Sequence, residues 1–327
     1  MRVTLSFDPR DFTARDWSDL VAADPAATFF HTPRYLKLYW EEFGQDSTLA
    51  LAFGERDGET VGAAAFELLD GTLRFLGGTE VTDYMGPVAV PGVEETFANE
   101  LVGALGSIEG WTKADLRGLP EDSPWLPLLA DAATNGGMKS EEGDDSVAPL
   151  LELPGTFDEY LSSIPAKLRH EVRRKERRLD LEAGGHELIF ATADSLVEDI
   201  GLFVSMHRSS EGPKGRFMKP GMEIFFRRLG ESFLAEGAFR LAFLEIGGRK
   251  VAGAIAFFFR GTVYLYNSAF DRNYRELAPG MVLVADLIER ATVEGCRRFD
   301  MLKGDLDYKY RFGAAPRRVR RLSLTRT

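Results

Sequence analysis

Two stretches of the chain contain short apolar runs separated by glycine turns, a pattern that is typical of buried strands. In the first half, strands are predicted at 49–53, 60–68 and 72–76. They are joined by Asp57-Gly58 and Asp70-Gly71, which are strong hairpin signals. In the second half, strands are predicted at 239–246, 250–259 and 262–270. The chain is therefore expected to contain two β-meanders.

The two meanders are also similar in sequence. With two one-residue gaps, the first aligns with the second at Val61 and Val251, Gly62 and Gly253, Phe66 and Phe257, and Gly71-Thr72 and Gly261-Thr262. A repeat this long is not a solenoid repeat, so it predicts a duplicated domain, with a chance similarity of two meanders as the alternative. The expected division is residues 1–153 and 154–327.

The remaining pattern predicts helices and strands around each meander. In the first half we expect a strand near 88–90, a helix at 94–108, a strand at 114–117, a helix at 125–134, a polar glycine-rich loop up to Asp145, and a strand at 147–153. In the second half we expect a basic helix after Pro165 that ends at Gly184-Gly185, a strand at 187–191, helices near 195–210 and 221–235 with a polar loop at 209–215, a helix at 280–294, and strands at 298–302, 308–312 and 319–325.

Composition limits the class of protein. The chain has 327 residues, 44% of them hydrophobic and 28% charged, which is typical of a globular protein with two domains. A single cysteine, Cys296, excludes an internal disulfide and a cysteine-rich metal site. The longest uncharged apolar segment, 251–259, is much shorter than the roughly 20 residues that span a bilayer. Without a visible secretory signal, the expected compartment is the cytoplasm.

The net charge of −11 argues against a general nucleic-acid binder, but the charge is unevenly distributed. Residues 167–178 carry a net charge of +5 and residues 309–327 a net charge of +7, so the remainder carries −23. Two basic segments on an acidic body predict an anionic ligand, such as a phosphorylated donor or acceptor. The alternative is a solvated helix face and an edge strand whose charges discourage aggregation.

The order of the predicted elements resembles the GNAT acyltransferase fold, present twice. The resemblance is most specific at residues 299–313, FDMLKGDLDYKYRFG, which look like the Y-K-x-x-F/W-G block of FemAB-like and CelD-like GNAT proteins. Weaker similarities are the opening at 29–36, the turn at 84–87, and the basic helix after Ile164-Pro165. The resemblance implies an α/β fold, with mixed sheets of the α+β kind, built from tandem duplicated GNAT-like domains.

In a GNAT protein, backbone amides at the start of a helix hold the donor's pyrophosphate. The matching turn comprises Arg275, Leu277, Ala278, Gly280 and the following Met281. It keeps only part of the signature Q/R-x-x-G-x-G/A, and Pro279 removes one amide; an ordinary Pro-Gly helix start is the alternative. The corresponding turn of the first half, 90–95, is acidic, so the first half is expected to be a scaffold or acceptor side.

Three side chains are candidates for catalysis. The resemblance assigns to Lys309 the stabilisation of charge on the transferred acyl group, whereas a surface lysine that neutralises Asp305 or Asp307 is the alternative. Tyr266, on the central strand of the second meander, is expected near the acyl group or else packed in the core. His207 is a candidate base on a predicted helix. Tyr308 is predicted to lie on a strand, and Tyr308 and Asp305 are candidates for binding substrate.

Arg169 and Arg173 are predicted to bind the acceptor, because they lie four residues apart on one face of the basic helix. The reaction that the resemblance implies is transfer of an acyl group from acyl-CoA, such as acetyl-CoA, to an amine of a small-molecule, sugar or envelope-precursor acceptor. The alternatives are an aminoacyl-tRNA donor, as in the FemAB branch, and a non-catalytic binding module. The chain shows no coiled-coil insertion, which favours acyl-CoA. Its four histidines are scattered, so no metal is expected.

Overall fold

The computed structural model describes residues 1–13, 16–210 and 217–326. Its strands are β1 (Arg2–Ser6), β2 (Thr48–Arg56), β3 (Glu59–Leu69), β4 (Thr72–Phe75), β5 (Val88–Ala89), β6 (Lys113–Pro120), β7 (Lys139–Val147), β8 (Leu150–Glu152), β9 (Glu187–Phe190), β10 (Phe239–Ile246), β11 (Arg249–Phe259), β12 (Thr262–Phe270), β13 (Arg298–Asp300) and β14 (Arg318–Thr325). Its α-helices are α1 (Trp17–Ala23), α2 (Pro33–Phe43), α3 (Glu94–Leu105), α4 (Trp125–Asn135), α5 (Phe157–Ser163), α6 (Ala166–Ala183), α7 (Leu196–Arg208), α8 (Pro220–Phe233), α9 (Pro279–Val293) and α10 (Asp307–Tyr310).

The chain divides into two units. The first unit contains Met1–Val147 together with Arg317–Thr327, and the second contains Ala148–Pro316. This division differs from the expected one at residue 153, because β8 belongs to the second unit and because the last strand, β14, belongs to the first. The roles expected of the two halves stay predictions.

The first unit is built around a mixed sheet with strand order β1-β2-β3-β4-β6-β14-β7, in which β5 pairs with β3. The predicted hairpins are present, and Asp57 and Asp70 both have the positive φ that such tight turns require. Helices α3 and α4 cover one face, where Phe97, Leu101 and Leu129 are buried.

In the first unit, the space beside the parallel pair β4–β6 is filled by the chain itself. The pair is registered at Thr72 with Lys113 and at Leu73 with Ala114. Further along β6, the backbone N–H of Met85 donates a hydrogen bond to the carbonyl of Gly118 at 3.0 Å. Tyr84 and Met85 are both buried there. The segment that follows β4 therefore occupies the position where two strands of a sheet would otherwise part.

The predicted polar loop before Asp145 is wrong, because residues 139–147 form strand β7. Its acidic side chains face the basic strand β14, which pairs with it in antiparallel fashion. Arg320 forms ion pairs with Glu142 at 3.6 Å and with Asp144 at 3.2 Å. The basic segment at residues 317–321 is therefore matched by the carboxylates of a neighbouring strand, and β14 is an inner strand rather than an edge strand.

The second unit has a six-stranded sheet in the order β8-β13-β12-β11-β10-β9. The meander β10–β12 is confirmed, and α9 packs on the sheet through Val282, Leu283 and Leu287. The basic helix α6 buries Val172 and Leu179 against the same core, and it ends at Gly184 in a left-handed conformation, as predicted.

Two further expectations concern the second unit. The strand predicted at 308–312 is wrong, since Asp307–Tyr310 forms the helical turn α10. The loop predicted at 209–215 lies mostly outside the described residues, at 211–216. Across the described parts of the chain, no helix is both long enough and apolar enough to cross a membrane.

Candidate active site in the second unit

Strand β12 parts from its parallel neighbour β13 within the sheet of the second unit. The two strands pair from Thr262 with Arg298 as far as Tyr264 with Asp300, whereas β12 continues to Phe270. On its other side β12 stays paired with β11. Beyond Tyr264, no strand among the described residues pairs with this edge of β12, which we call the open edge.

A β-bulge lies at the point where this opening begins. Along β11, Ile255 pairs with Asn267 and the next residue, Ala256, pairs with Leu265, so Tyr266 is the extra residue on β12. A bulge bends its strand and redirects the side chains near it. The ring of Tyr266 lies 5.3 Å from that of Phe257 and 5.8 Å from that of Phe226, both in edge-on geometry. Tyr266 is half-buried, so it is packed by aromatic rings without being enclosed.

The turn between β12 and α9 is left-handed at the position where the signature has its first glycine. A 3-10 turn at Arg272–Leu277 leads to Ala278, whose φ of 52° and ψ of 47° are left-handed. An alanine in this conformation costs on the order of 1 kcal/mol relative to glycine. Pro279 then begins α9, and Gly280 lies in its first turn, where N–H groups have no acceptor within the helix.

Gly280 leaves room at the start of α9. A Cβ placed on it would contact Phe270 Cδ1 at 3.6 Å, an ordinary packing distance. The fold therefore does not require glycine here. A large side chain here would keep an anion from approaching the backbone of the helix start, and glycine leaves that approach free.

Next to Tyr266 on β12, Asn267 joins the strand to His207 of α7. The side-chain oxygen of Asn267 accepts a hydrogen bond from the backbone N–H of Ser268 at 3.1 Å, and it lies 2.7 Å from His207 Nε2. Because a backbone N–H can only donate, the shared atom must be the amide oxygen, and His207 Nε2 must carry the hydrogen. His207 is buried and packs against the rings of Phe203 and Phe217.

The following residue, Ser268, reaches Tyr308 of α10. Burial raises the pKa of Tyr308 to about 12, and the hydrogen bond from the Ser268 side chain partly offsets this increase. The Tyr308 phenol is therefore protonated at neutral pH and can donate a hydrogen bond. Tyr266, Asn267 and Ser268 thus gather His207 and Tyr308 around the open part of β12.

Lys309 is buried, which excludes the surface lysine considered as its alternative role. Its Nζ donates hydrogen bonds to the carbonyl of Leu302 at 2.8 Å and to that of Lys303 at 2.9 Å. Asp305 instead accepts a hydrogen bond from the Tyr310 hydroxyl at 2.6 Å. Lys309 therefore holds the loop between β13 and α10 in place, whatever else it does.

Three comparisons bear on this geometry. Residues 166–310 match the family model described as an acetyltransferase (GNAT) domain. In structure, the chain is similar to FemX, with 12% identity, a TM-score of 0.69, and 98% of this chain and 97% of that chain covered. It is also similar to the C-terminal domain of a putative lysylphosphatidylglycerol synthetase from Agrobacterium fabrum, with 11% identity, a TM-score of 0.61, and 98% and 92% covered. A comparison with curated protein sequences finds no match.

A tandem GNAT protein from the clavulanic acid biosynthesis pathway, in a structure without AcCoA, is similar over 100% of this chain and 99% of that chain, with 12% identity and a TM-score of 0.52. The chain has a tandem GNAT fold. The residues that match the GNAT domain model, 166–310, contain the opening beside β12 and the turn before α9, in agreement with the expectation of a GNAT-type acyltransferase.

The two arginines predicted to clamp the acceptor of this GNAT domain contact helix α5. Arg169 Nη1 donates to the carbonyl of Leu161 at 3.2 Å, and Arg173 lies 3.6 Å from a carboxylate oxygen of Asp158. Arg275 is exposed on the 3-10 turn, while Leu277 and Met281 are half-buried beside the core. The structure thus joins His207 to Asn267 and Tyr308 to Ser268, the two residues that follow Tyr266 on β12, and it places Arg169 and Arg173 on another contact surface.

Sequence reasoning missed Asn267 and Ser268 as residues of the candidate site. A signal existed, because Tyr-Asn-Ser interrupts with polar groups a strand that is otherwise apolar between Val263 and Ala269. Polar residues inside a central strand need partners when buried, and here the partners are His207 and Tyr308. Within the described parts of the chain, no group of three or more His, Cys, Asp or Glu side chains is placed to hold a metal ion.

Proposed function

We propose that the second unit transfers an acyl group from acyl-CoA to an amine. One observation carries the proposal: the open edge of β12 beyond Tyr264 is followed by a left-handed turn at Ala278 and by the start of α9. An extended thioester can lie along the open edge while the helix start holds its pyrophosphate. The residues present fit such a donor, since Gly280 has no side chain to block the approach.

The reaction needs few side chains. The amine nitrogen attacks the thioester carbon, the carbon–sulfur bond breaks, and the proton lost by the nitrogen is balanced by one gained by the sulfur. Most of the rate increase can come from positioning the two substrates. Tyr308, protonated at neutral pH because of its raised pKa, is suited to donate a hydrogen bond or a proton to the leaving sulfur.

His207 is suited to a positioning role in this scheme. Its Nε2–H fixes the side chain of Asn267, which follows the bulge residue Tyr266. A buried imidazole held in one tautomer keeps the polar edge of β12 in one arrangement. Tyr266 and Asn267 then present the ordered surface against which the acyl group and the amine meet.

The acceptor is proposed as an amine of a small molecule, a sugar or an envelope precursor. The role of the first unit follows from a separate observation, which is that this unit has no room for a second donor at the corresponding place. Its segment with Tyr84 and Met85 fills the space beside β6, and Met85 is hydrogen-bonded to Gly118. The first unit is therefore proposed as the scaffold or acceptor side of the protein.

An aminoacyl-tRNA donor is the second candidate. Two observations favour it: the basic helix α6 on an acidic chain, and the structural similarity to FemX. The two donors share an activated acyl group on an adenosine-containing nucleotide, so the same open strand edge suits both. They differ in size and charge, which makes them separable by titration.

The test is calorimetric titration with acetyl-CoA and, separately, with uncharged tRNA. Saturable binding of acetyl-CoA is expected, and Gly280→Val should weaken it by about tenfold or more because a β-branched side chain would keep the pyrophosphate from the backbone. Gly201→Val in α7 is the matched control, since a Cβ there meets nothing within 4 Å. Absence of acetyl-CoA binding together with binding of tRNA would replace the first candidate by the second.

A further inference from the structure

Helix α6 places a group of cations beside the turn that precedes α9. Lys175 is half-buried, and Glu171 lies four residues before it on the same face of the helix. Arg311, which follows α10, reaches this face and forms an ion pair with Glu171, Nη1 to Oε1, at 3.4 Å. Two distant parts of the chain thus bring their positive charges to one place.

Two more arginines of α6 complete the group. Lys175 interacts electrostatically with Arg174, Arg178 and Arg311 as well as with Glu171. Burial and these three cations lower the pKa of Lys175, while Glu171 opposes them. We call Arg174, Lys175, Arg178 and Arg311 the cation cluster.

The carboxylates at the cation cluster do not match it in number. Glu171 pairs with Arg311, and Glu182 accepts a hydrogen bond from Arg178 at 2.8 Å. Glu276 of the 3-10 turn interacts electrostatically with Arg178. Four cations are thus gathered around three carboxylates. Because the positive charges exceed the negative ones, an added anion would be favourable at this place.

The cation cluster lies close to the turn that precedes α9 in the proposed donor site. The 3-10 turn at Arg272–Leu277 packs against α6, and this turn leads directly to Ala278 and the start of α9. Arg311 lies two residues after Lys309, which holds the loop that follows β13. The cluster therefore lies beside the turn that leads into the helix start proposed to hold the pyrophosphate.

We propose that the cation cluster binds a second phosphate group of the donor, on the ribose of its adenosine. The inference rests on the proposed function. Guanidinium groups bind phosphate oxygens in pairs, and Lys175 adds a further donor. The same chemistry is present in the 3′-phosphate of coenzyme A and in the phosphodiester next to the terminal adenosine of tRNA.

The experiment compares coenzyme A with 3′-dephospho-coenzyme A in the full chain by calorimetry. Wild-type protein is expected to bind coenzyme A about tenfold more tightly than 3′-dephospho-coenzyme A, because about tenfold corresponds to one charge-assisted hydrogen bond. Lys175→Met and Arg311→Gln should remove this difference and leave the affinity for 3′-dephospho-coenzyme A unchanged. Lys167→Met is the matched control, because Lys167 is exposed on the same helix two turns before Lys175.

The remaining outcomes separate the two proposals. If wild-type protein binds both compounds equally, or if both variants keep the difference, the phosphate site is wrong and the acyl-CoA function stands. If neither compound binds, the acyl-CoA function fails and uncharged tRNA replaces them in the titration. Weaker tRNA binding by Lys175→Met, with a shallower salt dependence, then supports the site, whereas unchanged tRNA binding or no tRNA binding by the wild type overturns it.

Discussion

The ammonium group of Lys309 donates a hydrogen bond of 2.8 Å to the carbonyl of Leu302, a residue with a left-handed φ of 57°. A leucine in this conformation is strained by on the order of 1 kcal/mol or more. The lysine that resembles a catalytic residue of FemAB-like proteins thus also stabilises an unfavourable backbone conformation in the loop after β13.

Lys309→Met is expected to lower the free energy of unfolding by about 1–3 kcal/mol, because the buried carbonyl of Leu302 and the half-buried carbonyl of Lys303 lose their donor. Chemical denaturation measures this change, and Lys167→Met on the exposed face of α6 is the control. If Lys309 also stabilises charge on the acyl group, turnover at saturating donor should fall by on the order of 10²–10³-fold. Unchanged stability with a loss of turnover would contradict the structural role.

Gly118→Ala is expected to destabilise the first unit. Its φ is 80°, and a Cβ there would lie 2.9 Å from the backbone nitrogen of Met85. The control is Gly137→Ala, which has a similar φ of 77° but meets nothing within 4 Å. Because both variants carry the strain of a positive φ, the difference between their melting temperatures measures the close approach of the Met85 segment to β6. Equal melting temperatures would mean that the Met85 segment can move away from an alanine at 118 at little cost in free energy.

The ion pairs of His186 predict a stability that depends on pH. The imidazole lies 3.3 Å from a carboxylate oxygen of Asp286 and 2.9 Å from one of Asp180. Chiefly through Asp286, they raise its pKa from 6.5 to about 9. Since the folded-state pKa is the higher one, the stabilisation is complete below about pH 6.5 and is lost as the pH rises through about 9.

The measurement for His186 is the melting temperature of wild type and His186→Gln across this pH range. The variant should melt at a lower temperature near neutral pH, and the difference should shrink as the solution becomes alkaline. Asp286→Asn should lower the pKa of His186 in a histidine NMR titration, because the largest cause of its increase is removed. A His186 pKa that does not respond to Asp286→Asn contradicts the assignment.

The buried carboxyl group of Glu67 on β3 is expected to make the stability of the protein depend on pH. Burial raises its pKa from 4.5 to about 7, although Arg74 and the N–H of Gly78 oppose the increase. The folded state therefore binds the Glu67 proton more tightly, so this group's contribution to stability falls as the pH rises from about 4.5 to about 7. Glu67→Gln should raise the melting temperature above neutral pH and have little effect near pH 4. A benefit that is the same at both pH values would argue against titration of Glu67.

Local sequence pattern predicted the two meanders well, because apolar runs and turns that contain glycine act over a few positions. It failed at β7, whose sequence KSEEGDDSV has almost no apolar residues. That strand forms because its acids meet the arginines of β14, a partner that lies far away in sequence. It failed again at Tyr308–Phe312, where alternating aromatic residues suggested a strand, whereas the backbone N–H of Lys309 donates to the carbonyl of Leu306 and closes a helical turn.

For the candidate site, the resemblance identified the turn at 275–280 although its first glycine is replaced by Ala278. The backbone keeps the left-handed shape, which a search for glycine does not detect. Pairs of positive charges were harder to interpret from sequence. Arg169 and Arg173 share a helix face, but Asp158 and the end of α5 were not predictable as their partners. The sequence shows which positions carry charged side chains, whereas the partners of those side chains depend on tertiary structure.

Strand β14 lies between β6 and β7 in the sheet of the first unit, yet the ribosome makes it after the whole second unit. During synthesis, β6 and β7 lack their shared neighbour until the meander β10–β12 and helix α9 have emerged. The earlier half of the chain must therefore wait for the later half, and the second unit is free to fold first. A nascent chain stopped shortly before Arg318 should present an incomplete first sheet with unpaired strand edges, which is the kind of surface that chaperones bind.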